Sequence, residues 1–170
     1  IKKLSVCLRS VVQWISESLF MMSIRSLWVL PLVALLAVTG CDRVDPNSPL
    51  GQRKAIFKDM LKTNEDLGGM LRGRIPFNEE KFATLAQHLD EVSRKPWQHF
   101  PQAKEEHSEA RDDVWQQQEK FKTLAQELEA ATAALAARTQ QQPFTANDVR
   151  KPQKAVEQAC EKCHDAFRIY

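Results

Sequence analysis

The chain has 170 residues, 43% of them hydrophobic and only five of them glycine, which suffices for one folded domain with accessory sequence and excludes two full ones. A single tyrosine, few β-branched runs and many Ala, Leu, Lys, Glu and Gln residues favour helix over sheet. The formal charge of +2 becomes −1 once residues 1–40 are set aside, with twenty basic against twenty-one acidic residues, and no basic stripe with interleaved aromatics remains for nucleic acid.

Residues 1–21, IKKLSVCLRSVVQWISESLFM, read as an upstream extension outside the mature protein. From Met22 the sequence runs MSIRSLWVLPLVALLAVTGC, with Arg25 as a positive flank and Leu27 to Val38 as an apolar core of secretory length. That core is too short to span a bilayer comfortably. Its end, Val38-Thr39-Gly40-Cys41, resembles the lipobox of bacterial lipoproteins, whose cysteine is lipidated and becomes the new N-terminus. The expectation is a signal peptide over 22–40, a lipidated Cys41, a polar linker over 41–49 and a folded part over 50–170. The mature protein is then periplasmic and touches the membrane through its lipid alone. The four cysteines form no disulfide framework, because Cys7 and Cys41 lie in this N-terminal region and only Cys160 and Cys163 are neighbours.

Beyond the linker, Phe57, Met60, Leu61, the polar Asn64, Leu67, Gly68 and Leu71 recur at spacings of three and four, which predicts a first helix ended by Gly73 and Arg74-Ile75-Pro76. Asn78 is a good N-cap for a second helix carrying Phe82, Leu85, Ala86, Leu89 and Val92, stopped by Lys95-Pro96. Trp97 and Phe100 fall in a loop and are expected to pack under the end of the fold. A long third helix is expected from about Ser108 through Val114, Trp115, Gln118, Phe121, Leu124, Leu128 and Leu135. After Pro143, Thr145 or Asn147 caps a fourth helix with Val149, Val156, Cys160, Cys163 and Phe167, its Pro152 tolerated near the start. Four amphipathic helices joined by short connections predict an all-α, antiparallel four-helix bundle.

The chemistry concentrates in EQACEKCHDAFRIY, where Cys160, Cys163 and His164 spell C-x-x-C-H. On a helix the three side chains share one side, so one flat object meets them all. Two thiols add to haem vinyl groups as thioethers and the histidine binds iron, which is why this spacing marks covalent haem c attachment. Covalent attachment also suits an exported protein, which would otherwise lose its cofactor to the medium. A redox dithiol normally follows a strand and opens a helix, and none precedes Cys160. Zinc needs a fourth ligand, and His88, His99 and His107 lack paired ligand spacing. A plain disulfide leaves His164 unexplained.

From about Leu50 to Arg168 the chain resembles the cytochromes c′, bacterial four-helix-bundle haem proteins with the attachment motif near the C-terminus. CEKCHDAFR carries the resemblance most specifically, and RKAIFKDM, GGMLRGRIPFN and KPWQHFP are similar to further parts of the family. The resemblance implies that His164 is the proximal iron ligand, that Arg168 lies in the proximal pocket, that Arg53 meets a haem propionate and that Phe57 stands at the distal face. Arg168 then is placed to bond a nitric oxide that displaces the histidine. Arg53 also reads simply as a solvated arginine, and Arg168 as a favourable charge at a helix C-terminus.

Relatives with methionine at the position of Phe57 have six-coordinate iron, and phenylalanine cannot ligate. The expectation is five-coordinate, high-spin iron that binds small diatomic ligands such as nitric oxide and carbon monoxide and is capable of electron transfer with a redox partner. The alternative is a six-coordinate electron-transfer cytochrome with Met60, one turn beyond Phe57, as distal ligand; methionine is more often a core gap-filler. Only Lys58 and Asp59 stand near Phe57 as acid or base, so the reading is not enzymatic. Pairing of two copies through the first two helices is a further implication of the resemblance.

Overall fold

The computed structural model describes residues 44–169; the extension, the signal segment and Cys41 lie outside the described residues. Among the described residues helix α1 spans Pro49–Leu71, α2 Glu79–Ser93, the short α3 Asp113–Gln116, α4 Gln118–Thr139 and α5 Ala146–Phe167, with a 3-10 turn at Trp97–His99. The four long helices form the antiparallel bundle: α4 packs on α2 and α5, and α1 closes the ring against the same two. No helix of the described residues is long and apolar enough to cross a membrane.

Local chemistry sets the helix ends. Ser48 opens α1, its hydroxyl accepting from Gly51 N at 3.0 Å with Pro49 in the first turn. Gly51 has to be glycine, since a Cβ there would lie 2.1 Å from Asp45 O. At the other end Gly73 takes a φ of 74°, the left-handed conformation glycine adopts without penalty. Asn78 caps α2 as its sequence suggests, accepting from Lys81 N at 2.7 Å. Of the two caps open for α5, Thr145 is the one used, in a reciprocal capping box with Asp148.

The main core holds Leu67, Phe82, Leu89, Leu135, Val149 and Val156, all enclosed. A second cluster of Val114, Phe121, Leu124 and Phe167 sits at the C-terminal end of α5. Two expectations need correction. Leu61 is 59% exposed rather than on the inner face of α1, and Thr63 and Met70 are buried instead. Because α1 touches both α2 and α5, its buried stripe is centred on Met60 and Leu67 and widens away from Leu61.

The third helix does not begin at Ser108 either. The segment 101–112 is non-helical, and Gln117, at φ −117° and ψ 51°, separates α3 from α4. Ser108 is unavailable as a cap. Its hydroxyl already accepts from Arg53 Nη2 at 2.9 Å and from Ala110 N at 3.2 Å.

Candidate functional site

The C-terminal half of α5 carries Cys160, Cys163 and His164 on one arc. The two thiols are free and half-buried, and they rest on different neighbours: Cys160 packs against the main core, Cys163 against the second cluster. Trp97 joins both clusters. Through it runs a seam of edge-on aromatic rings, Phe57 to Trp97 at 6.0 Å, Trp97 to Phe121 at 5.9 Å and Phe121 to Phe167 at 5.5 Å between centroids. The seam leads from α1 across the 97–100 turn and α4 to the end of α5. Trp97 and Phe100 thus pack as expected, Phe100 lying 4.9 Å from Phe121.

Burial pushes the Cys160 thiol up to about 11, with the neighbouring Cys163 and Glu157 adding to it, and burial alone pushes Cys163 up to about 11. Redox dithiols work through a depressed value, which neither of these thiols has. His164 is exposed on the same arc. Partial desolvation holds its imidazole below the ordinary value, the Arg168 guanidinium acts in the same direction and Asp165 opposes them. A neutral imidazole is the form that ligates a metal. Two free thiols and an imidazole on one arc, the thiols packed beside a row of aromatic rings, are the donor set that a covalently held haem needs.

The other sequence-predicted residues are distributed as follows. Phe57 is half-buried at the α1 end of the seam. Met60 is 6% exposed within the main core. Arg53, far from being solvated, is 3% exposed; it donates to His99 O at 3.0 Å, to Glu105 Oε2 and to Ser108 Oγ at 2.9 Å, and its guanidinium lies 4.6 Å over the Phe100 ring. Arg168 follows the last residue of α5 and donates to Glu109 at 3.0 Å. Its backbone joins the 109–111 segment through Arg111 N to Phe167 O and Ile169 N to Glu109 O, both 2.8 Å.

Segment 101–112 is therefore a strap. It takes Arg53 by Glu105 and Ser108 and, at the very next residue, Arg168 by Glu109. Sequence reasoning missed it because KEEHSEARDD reads as the acidic start of a helix. The signal that was present is the pair of acidic residues four apart, which finds two partners from distant helices. Of the histidines weighed for zinc, His88 pairs with Asp59 at 2.9 Å, and His107 sits in the strap at a φ of 64°.

Comparison with known proteins returns one answer. The family model described as Cytochrome C' matches residues 48–168. A cytochrome c' of Halomonas halodenitrificans is 27% identical over 131 residues, covering 73% of this chain and 98% of that protein. Cytochrome c prime from Shewanella frigidimarina superposes with a TM-score of 0.69 at 24% identity, over 76% of this chain and all of the other. A mutant cytochrome c prime from Alcaligenes xylosoxidans, solved as its nitric oxide complex, superposes at 0.67 with 21% identity, over 76% of this chain and 99% of that one. Another mutant of the same protein was solved with carbon monoxide bound. These likenesses, from whole relatives, show the same bundle.

Proposed function

The chain belongs to the cytochrome c′ family, whose members carry one covalently attached haem c, and from that premise we propose a periplasmic protein that binds small diatomic ligands at five-coordinate, high-spin iron. The observation that carries the proposal is the arc of Cys160, Cys163 and His164 on α5, whose two thiols pack against the clusters that the aromatic seam from Phe57 joins. Haem supplies an iron atom able to take one axial ligand and to exchange one electron.

The residues divide the remaining work. Cys160 and Cys163 anchor the cofactor from one helical face, and His164 holds the iron from the proximal side. Phe57, which has no lone pair to donate, fills the distal side with apolar bulk, excludes water and admits only a small ligand. Met60 serves as core packing. Its burial among α1, α2 and α5 side chains supports that role over the six-coordinate alternative. Arg168 stands one turn beyond His164, within reach of a proximal ligand once its bond to Glu109 is released. Of the acid–base candidates near Phe57, Asp59 is held by His88, which supports binding rather than catalysis.

Nitric oxide and carbon monoxide, found in the solved relatives, are the ligands this site suits: they need little room and no polar gate. Electron transfer with a redox partner is the second capability of the same iron. Export by residues 22–40, lipid attachment at Cys41 and pairing of two copies complete the proposal. The test is the optical spectrum of purified protein, oxidised, reduced and with carbon monoxide. High-spin ferric bands and a prompt carbon monoxide adduct are expected; a thioether-to-iron charge-transfer band would instead establish Met60 as a ligand.

A further inference from the structure

Among the described residues two buried side-chain polar atoms lack a hydrogen-bond partner, Gln153 Oε1 and Trp97 Nε1. Their settings differ. Gln153 already donates through its amide nitrogen to Asn64 at 2.6 Å, inside the bundle. Trp97 has a single polar atom, a donor only, and the rings of Phe57 and Phe121 standing against it are apolar. The fold does provide acceptors for indoles elsewhere: Trp115 donates to Pro101 O at 2.7 Å. A buried N–H without an acceptor is destabilising. The missing acceptor at Trp97 has to come from something other than the chain.

We propose that Trp97 Nε1 donates a hydrogen bond to a carboxylate on the edge of the haem, beside Arg53. The proposal rests on the haem reading above. Trp97 stands where the cluster seating Cys160 meets the cluster seating Cys163, so a planar group bonded to both thiols extends to it. The periphery of that group is apolar except for its two propionates. A carboxylate that leaves water at such an edge needs a cation and donors waiting for it.

Trp97 of the Trp97–His99 turn supplies a donor, and Arg53 of α1, whose charge is shared with Glu105, supplies the cation. Arg53 is the one buried charged side chain among the described residues, and it is fixed to this turn through His99 O and over Phe100. Its Nε–H is used by none of its bonds to His99, Glu105 and Ser108. The turn and the α1 side chain fixed to it therefore present an unused indole donor and an unused guanidinium donor at the same seam. Trp97 is a cofactor-binding residue that fixes the tilt of the haem edge. The rival acceptor is a diatomic ligand on the iron, because Phe57 touches the same indole.

Trp97→Phe keeps the ring and removes the N–H. Resonance Raman and infrared spectra of the ferrous carbon monoxide adduct read both acceptors at once. The expected result is a propionate bending band shifted to lower frequency with the C–O stretch unmoved. A moved C–O stretch, or a propionate band that stays in place, overturns the proposal. Should the variant fail to mature, the wild-type adduct, which is diamagnetic, decides: the Trp97 indole proton is expected to exchange slowly and to show a cross-peak to propionate methylene protons, and absence of that cross-peak overturns the proposal. Failure of the haem reading is distinguishable, because the wild-type protein would then show no haem absorption before any variant is made.

Discussion

At the end of the bundle where α1 turns into α2 and α4 into α5, Phe82 is wholly buried against Phe77 at 5.5 Å and Phe144 at 6.2 Å. The loops there are tied in by Phe144 N to Glu79 at 2.9 Å and Arg150 to Leu71 O at 3.0 Å. The opposite end uses the same kind of residue differently. Phe57, Trp97 and Phe100 are only half-buried, one indole N–H has no acceptor, and two thiols lie on the surface of the packing rather than inside it. Since buried polar groups are nearly always paired and interiors nearly always filled, the contrast separates an end that the chain completes by itself from an end that a cofactor completes.

The sharpest way to break that contrast is to remove the anchor. Replacing Cys160 and Cys163 together with Ala is expected to abolish covalent haem, read as total loss of haem staining after denaturing electrophoresis. Amide exchange should then rise first in 97–112 and the last turns of α5, while the Phe82 end stays protected. Equal loss of protection at both ends would show that the cofactor supports the whole bundle.

Next in size is the converse experiment. Phe82→Ala empties a fully enclosed site and should cost about 3–5 kcal/mol in a denaturant titration, a large share of the stability of a small domain. The oxidised and reduced spectra should not change. Phe57→Ala is expected to do the reverse. Its side chain is half-buried, so stability falls less than in Phe82→Ala, whereas carbon monoxide association accelerates on the order of tenfold, equivalent to about 1.4 kcal/mol off the barrier. An unchanged rate would put the distal wall at another residue.

The two ends were not equally legible in the sequence. Asn78, Gly73 and Thr145 announce their helix boundaries because a cap is a local event, decided by a side chain and the backbone within one turn. The C-x-x-C-H spacing is likewise local, and it alone carries the chemistry. Leu61 was misleading since periodicity fixes the spacing of a buried stripe but not its centre, which depends on where α2 and α5 lie. The strap was illegible for a related reason. Ser108 is a good cap by type, but the guanidinium of Arg53, fifty-five residues away, has claimed its hydroxyl. Arg53 itself resembles a cofactor ligand from sequence, and its engagement by Glu105 appears only when the loop is folded over it.

The smallest effect tests whether the ends are independent. Asp148 sits in the first turn of α5, at the far end from the thiols, accepting from Thr145 N and Oγ1, both at 2.7 Å, and pairing with Arg138 at 2.9 Å. Thr145's side chain first, and its backbone N–H second, hold the Asp148 carboxyl below its ordinary value of 3.8. A carboxyl depressed in the fold contributes stability that is complete above its unfolded value and is lost as pH falls through the lower folded value. Asp148→Asn should therefore remove a component of acid sensitivity that sets in as pH falls through 3.8 toward the lower folded value, seen as a flatter acid limb in midpoint against pH. Because α5 is one helix, fraying at this cap would reach His164 only if the intervening Val149, Gln153 and Val156, all buried, let go as well. The haem spectrum is accordingly expected to hold until global unfolding, and a spectrum that changes with protonation of Asp148 in the folded protein would show that the self-completed end controls the other.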